Sequence, residues 1–159
     1  DLYFIDITNS AIEYVSNRSH YYFLDQGNLT DLNAFIQTTG GGFDIIIDDG
    51  GHTMQQQITS FKALFPCLNS GGIYVIEDLH TSYWREYGGQ GTLSHPKATK
   101  RSTTEFLKHL VDPLNLIAAK TACADQSKAP KGIEETLAPY EKEIKGIYFA
   151  SGICFIYKR

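Results

Sequence analysis

The chain has 159 residues, 42% of them hydrophobic and 20% charged, with a formal net charge of −4 at pH 7 and a pI near 5.7. That is the length of one domain with a sizeable core, and the mildly acidic balance excludes an electrostatic nucleic-acid binder. Cys67, Cys123 and Cys154 lie far apart with no C-x-x-C pair, which argues against a disulfide framework or zinc site and fits a cytoplasmic setting, while no apolar run reaches the length of a membrane span.

In chain order, "LYFIDI" (Leu2 to Ile7) reads as a buried strand ending in Asp6, and "SAIEYVSNR" follows with helical spacing. "YYFL" (Tyr21 to Leu24) is a second short apolar run, followed by Asp25. "LTDLNAFIQTT" carries Leu29, Leu32, Phe35 and Ile36 as a helical stripe, closed by three glycines at 40–42. "FDIII" (Phe43 to Ile47) is a third strand, and its continuous apolar run predicts burial on both faces, as in a parallel sheet. A helix is expected over Met54 to Leu64, with Ile58, Phe61, Leu64 and Phe65 inward; "NSGG" then reads as a turn before a fourth strand, "IYVIED" (Ile73 to Asp78). The loop from Arg85 to Thr103, rich in Gly, Ser and Thr, has the size of a lid, with "GGQG" as its hinge. Within and beside it Lys97, Lys100 and Arg101 read as a solvated cluster.

"TEFLKHLVDPLNLI" is helical, with a break or kink expected at Pro113. The polar stretch from Ala124 to Glu143 reads as a surface insertion with a short helix, and "IKGIYFASGICFIYKR" as a hairpin turning at Ser151-Gly152. Strands alternating with helices and finishing in a hairpin predict a doubly wound, mostly parallel α/β sheet with an antiparallel edge.

In such sheets ligands bind beyond the carboxyl ends of the strands. Here every strand run is followed by acid: Asp6, Asp25, the doublet Asp48-Asp49, and the doublet Glu77-Asp78. Acids also cap helices and make turns, so any single one carries little; four strand ends out of four carry more. Carboxylates crowded on one rim repel, and a cation relieves that. Oxygen ligands Asp49, Glu77 and Asp78 favour Mg²⁺, Mn²⁺ or Ca²⁺ over zinc. His52, just past Gly50-Gly51, is either a cap or, beside a metal, a general base. His80, Tyr83 and Trp84 read as pocket walls or as packing residues.

The block "FDIIIDDGGHTMQQQITSFKALFPCLNSGGIYVIEDLHTSYW" resembles the central part of class I S-adenosylmethionine-dependent methyltransferases. It is most similar to the macrocin and mycinamicin sugar O-methyltransferase group, whose pattern is a strand, D-D-G-S-H, a helix, and P-G-G-x-Y-x-x-E-D-x-H-T-S-Y-W. The resemblance implies a metal-dependent O-methyltransferase acting on a sugar or polyol hydroxyl, with S-adenosylmethionine as methyl donor and Mg²⁺ (or Mn²⁺) bound by Asp49, Glu77 and Asp78. It implies His52 as general base, Asp6 on the cofactor's ribose hydroxyls, Asp25 and Gln26 at its adenine, and Asp48 near its methionyl part. It further implies a small-molecule acceptor, no nucleic acid or membrane partner, and a homo-oligomer as in many relatives. Gly51 stands where the group has Ser.

One departure from the group's pattern concerns the start of the chain. The fold's first strand and its glycine-rich cofactor turn have no counterpart, so residues 1–159 are expected to be a single methyltransferase domain truncated at its N-terminus, with a gap in the sheet between Leu2–Ile7 and Phe43–Ile47. That leaves two alternatives to an active enzyme: a non-catalytic ligand- or metal-binding remnant, or a metal-assisted hydrolase or hydroxylase on the same rim.

Overall fold

A computed structural model describes residues 1–9, 15–91, 98–116 and 132–159 of the chain. Two sheets form. β1 (Leu2–Asp6) and β2 (Ser19–Phe23) pair in parallel as a two-stranded ribbon, and β3 (Phe43–Asp48), β4 (Leu68–Ile76), β5 (Ile144–Ala150) and β6 (Ile153–Lys158) form a second sheet in the order β3-β4-β6-β5. β3 and β4 are parallel, whereas β6 runs antiparallel to both β4 and β5. The sheet is therefore mixed and divided where the sequence places the gap: among the described residues β1 pairs only with β2, and β3 only with β4. The two sheets meet through aromatic rings, Tyr22 edge-on to Phe35 at 4.9 Å, Phe35 stacked on Phe43 at 5.8 Å, and Tyr3 edge-on to Phe43 at 5.4 Å.

Local chemistry fixes the helices where the sequence predicts them. α1 (Leu29–Thr39) starts at Asn28, whose side chain accepts from the Thr30 N–H, and ends at Gly40, left-handed at φ 78°, whose N–H returns to the Ile36 carbonyl. α2 (Met54–Leu64) opens on a capping box between Thr53 and Gln56. α3 (Thr103–His109) is capped by Ser102, and a short α4 (Val111–Leu114) follows. The interruption falls at Leu110, because Pro113 has no N–H for the turn before it. Another short helix, α5 (Pro139–Lys142), leads into β5. The helix expected over residues 10–18 lies partly outside the described residues, and Val15 to Arg18 are not helical. Cys123, Lys97 and most of the polar stretch before α5 also lie outside them.

The core sits between α2, α3 and one face of the larger sheet. Phe61 is its centre, in ring contact with Phe65, Tyr74, Phe106 and Tyr140 at 5.0 to 5.8 Å. Cys154 is fully buried there, and burial pushes its thiol up to about 12, which keeps it inert; Cys67 is only half-buried.

Two expectations need correction. "NSGG" is not a turn before the fourth strand. β4 already begins at Leu68, and the register jumps from Phe43↔Leu68 to Ile45↔Ile73, so these residues bulge within the strand, with Gly71 at φ 80°. Nor is "FDIII" buried on both faces. Residues in register share a face, so Ile46, Tyr74, Ile156 and Ile147 form the row under the helices, while Ile47, Val75, Phe155 and Tyr148 form the opposite row. Ile45, Ile47 and Tyr148 are 62%, 60% and 59% exposed, although Val75 in the same row is buried.

Candidate active site

The site lies beyond the carboxyl ends of β3 and β4. Asp48, the last residue of β3, points to the helix-covered side and is buried. Its Oδ1 accepts from Gln26 Nε2 at 2.8 Å, and its Oδ2 from Ser60 Oγ at 3.0 Å, with the Tyr74 hydroxyl 2.6 Å from Ser60 Oγ and 3.4 Å from the same Oδ2. Burial, then the Asp48 charge, hold the Tyr74 hydroxyl well above its usual range, so it stays a donor. Gln26 is used at both ends: its Oε1 accepts the Gly51 N–H at 3.2 Å, tying the exit of β2 to the loop after β3.

The next residue takes the other direction. Asp49 is exposed, and its carboxylate oxygen, His52 Nε2 and an Asp78 carboxylate oxygen all lie within 4.8 Å of one another. His52 Nε2 is 3.4 Å from Asp78 Oδ2 and 3.8 Å from Asp49 Oδ1. The backbone makes this convergence. Among the described residues, His52 (φ 57°) and Asp78 (φ 53°) are the two non-glycine residues with positive φ, a conformation that side chains other than Asn, Asp and His rarely adopt. His52 Nδ1, on the far side of the ring, is buried with no hydrogen-bond partner. Tyr87 approaches the ring edge-on at 6.3 Å.

Glu77 does not join the three-residue group. Its backbone is held by the Asp48 carbonyl, accepting from Glu77 N–H at 3.0 Å, and by Gln57 Nε2, donating to the Glu77 carbonyl at 2.9 Å. It lines an adjoining open hollow of about 560 Å³ with Asp78, His80, Ser151, Gly152 and Ile153. His80 sits 3.8 Å from Asp78 Oδ1 and meets the Trp84 ring at 4.5 Å, tilted by 64°; Trp84 is 48% exposed. Tyr83 is half-buried. The "GGQG" stretch is packed rather than hinged: a Cβ at Gly89 would lie 2.6 Å from the Ser82 carbonyl oxygen, and one at Gly91 2.7 Å from that of Tyr83. At Gly51 a Cβ would lie 2.2 Å from Gln56 Oε1, so the Ser of the related group at this position needs the end of the Gln56 side chain, which here caps α2, to shift.

Asp6 and Asp25 stand on the ribbon's rim and act on their own chain. Asp6 Oδ1 accepts the Thr8 N–H at 3.0 Å, and Asp25 Oδ1 the Gly27 N–H at 2.7 Å. Sequence reasoning missed Gln57, Ser60, Tyr74 and Thr81. The signal for the first two was present: Gln57 and Ser60 fall on the inward face of α2, where a polar side chain has to be satisfied. The two carboxylates, Asp49 and Asp78, suit a hard divalent cation with open positions, such as Mg²⁺ or Mn²⁺.

No protein-family model matches the chain. Among curated proteins it is 32% identical over 158 residues to an 8-demethyl-8-alpha-L-rhamnosyl tetracenomycin-C 2'-O-methyltransferase of Streptomyces olivaceus, a match covering 99% of this chain and 37% of that protein. It is 47% identical over 90 residues to the demethylmacrocin O-methyltransferase of Streptomyces fradiae, covering 57% of this chain and 21% of that one. Among solved structures, the MycE methyltransferase of the mycinamycin pathway, in complex with Mg, SAH and mycinamycin VI, superimposes with a TM-score of 0.75 at 29% identity, over 98% of this chain and 36% of that chain. The chain thus spans little more than a third of the first of these relatives and of that solved structure, at 37% and 36%.

Proposed function

We propose, for a chain related in sequence and fold to the sugar O-methyltransferases of macrolide and tetracenomycin pathways, that it transfers a methyl group from S-adenosylmethionine to a sugar hydroxyl of a glycosylated natural product. The observation that carries this reading is the convergence of Asp49, His52 and Asp78 at the strand ends. A rim with acids but without that convergence would bind nothing in particular.

In this reading Asp49 and Asp78 hold Mg²⁺, with Glu77 as the third carboxylate from the neighbouring wall, and Asp6, Asp25, Gln26 and Asp48 form the methyl donor's side of the site. When bound, the sulfonium donor supplies an activated methyl, and the cation supplies positive charge near the acceptor oxygen. The chain's own residues do the rest. His52 Nε2 faces the carboxylates and takes the acceptor hydroxyl's proton; Asp78, 3.4 Å away, stabilises the imidazolium that results. His80, Tyr83 and Trp84 offer the acceptor ring an aromatic wall beside the hollow, which orients the hydroxyl and lowers the entropic cost of attack. The Asp48–Gln26–Gly51 bonds keep the loop between Asp49 and His52 from relaxing.

The open edges of β1 and β3 and the bare face at Ile45 and Ile47 support a second element of the proposal. Residues 1–159 are part of one methyltransferase domain in which a further strand pairs with both edges. A monodisperse, cooperatively folded 159-residue chain that binds S-adenosylhomocysteine by itself would count against that element.

The relatives support methyl transfer over a binding remnant or a hydrolase. The experiment for the activity is methyl transfer from labelled S-adenosylmethionine to deoxysugar-bearing polyketides. The label should appear in the sugar, disappear on adding EDTA and return with Mg²⁺. Transfer unaffected by EDTA would remove the metal from the reaction.

A further inference from the structure

Thr81 belongs to none of the roles above, yet it touches both halves of the site. It lies in a single 3-10 turn, Leu79–Tyr83, just after Asp78, and is 1% exposed. Its hydroxyl is 3.1 Å from the backbone carbonyl of His52 and 2.8 Å from that of Asp78. Its own N–H donates to the same Asp78 carbonyl at 3.0 Å. The two carbonyls it reaches belong to the two positive-φ residues, His52 at 57° and Asp78 at 53°. These are 26 positions apart in the chain, and each would relax towards an ordinary conformation if released.

The turn that carries Thr81 is itself anchored. Leu79 donates its N–H to the Gly152 carbonyl at 2.8 Å, and Ser82 Oγ accepts from the Thr104 N–H of α3 at 3.1 Å. The hydroxyl therefore projects from a fixed platform made by the hairpin turn and α3.

We infer that Thr81 is a positioning residue: its hydroxyl clamps the left-handed backbone at His52 and Asp78 together, and so sets the separation of His52 Nε2 from the Asp78 carboxylate. It touches neither cation nor acceptor and acts through those two residues. The inference rests on the cation-binding reading of the cluster, and it adds a residue to it. A hydroxyl has one proton to share between the two carbonyls, so Val, which matches Thr in shape and lacks that proton, removes the clamp without opening a cavity.

The test uses Mn²⁺ alone, titrated into the full-length protein and followed by its electron-spin signal, so no acceptor need be known. Thr81→Val is expected to weaken Mn²⁺ about tenfold or more, and Thr81→Ser, which keeps the hydroxyl, to restore it within about twofold. In wild-type protein the Thr81 hydroxyl proton should be visible by NMR as slowly exchanging, a readout that needs no variant. Folded Thr81→Val with wild-type Mn²⁺ affinity overturns the clamp and leaves the cation site standing. Failure of wild-type protein to bind Mn²⁺ overturns the cation reading and the clamp's role with it. A Thr81 hydroxyl exchanging at the rate of a solvated one overturns the clamp even if Thr81→Val does not fold.

Discussion

The ribbon and the larger sheet both end in aspartates, and they use them differently. On the ribbon, Asp6 and Asp25 each accept a backbone N–H two residues further on, at 3.0 and 2.7 Å. One oxygen of each carboxylate thereby shapes its own turn. On the larger sheet, strand alternation separates Asp48 from Asp49: the first is buried under α2, and the second stands in the open. Left-handed backbone at His52 and Asp78 then brings those side chains towards Asp49 from two different loops. The difference teaches that an acid after a strand is not yet a ligand. What decides is whether the following residues turn back on the acid or carry a second and third group towards it.

That contrast can be broken most directly at Asp78. Asp78→Asn removes one of two carboxylates that converge on the same point, so Mn²⁺ binding should be lost and methyl transfer should fall by roughly 10²-fold or more. Asp25→Asn should leave Mn²⁺ affinity unchanged. Equal losses from both variants, measured by calorimetric titration, would show that the two rims act as one. His52→Ala sharpens the same comparison from the chemical side. Loss of a general base costs about 10²- to 10⁴-fold in turnover, while Mn²⁺, still held by Asp49 and Asp78, should bind within a few-fold of normal. A variant that loses binding and turnover in parallel would make His52 a ligand instead. Asp48→Ala belongs to stability before chemistry. It strands the donors of Gln26, Ser60 and Tyr74 in or beside the core, and roughly 2–4 kcal/mol should be lost in urea unfolding.

Much of this arrangement is legible in the sequence. The apolar stripes and the glycines at 40–42 mark α1 and α2, and the Ser151-Gly152 turn marks the hairpin. The acid doublets and His52 mark the place where Asp49, His52 and Asp78 converge. What the sequence withholds is non-local. A run such as Ile45-Ile46-Ile47 reads as doubly buried whether or not a second layer covers it, because periodicity reports what a face is made of and not what lies on it. The bulge over Asn69 to Gly72 reads as a turn because its composition is that of a turn; the pairing of Leu68 and Ile73 with β3 on either side of it keeps it in a strand. Glu77 and Asp78 are neighbours in sequence, yet only Asp78, at φ 53°, swings into the cluster. That choice depends on the 3-10 turn that follows and on Thr81 within it, and no residue-level pattern encodes it.

The smallest effect lies behind the site, where Tyr74 backs Asp48. Burial is the main cause that raises its hydroxyl above the usual value of 10.0, and the neighbouring Asp48 charge adds to it. A group whose pKa is raised by folding contributes stability that is fully present below the unfolded value and is lost as pH climbs towards the folded one. The native state keeps its proton while the unfolded chain gives one up, so stability should decline above about pH 10. Tyr74→Phe removes that ionisation and should flatten this part of the alkaline limb. At neutral pH it should cost only about 0.5–1.5 kcal/mol for the lost hydrogen bonds to Ser60 and Asp48. Urea titrations of both proteins between pH 8 and about 11 measure the two slopes. Parallel slopes would mean that Tyr74 is solvated enough to ionise in place, and that the polar layer joining Asp48 to the helix side is wetter than its buried position implies.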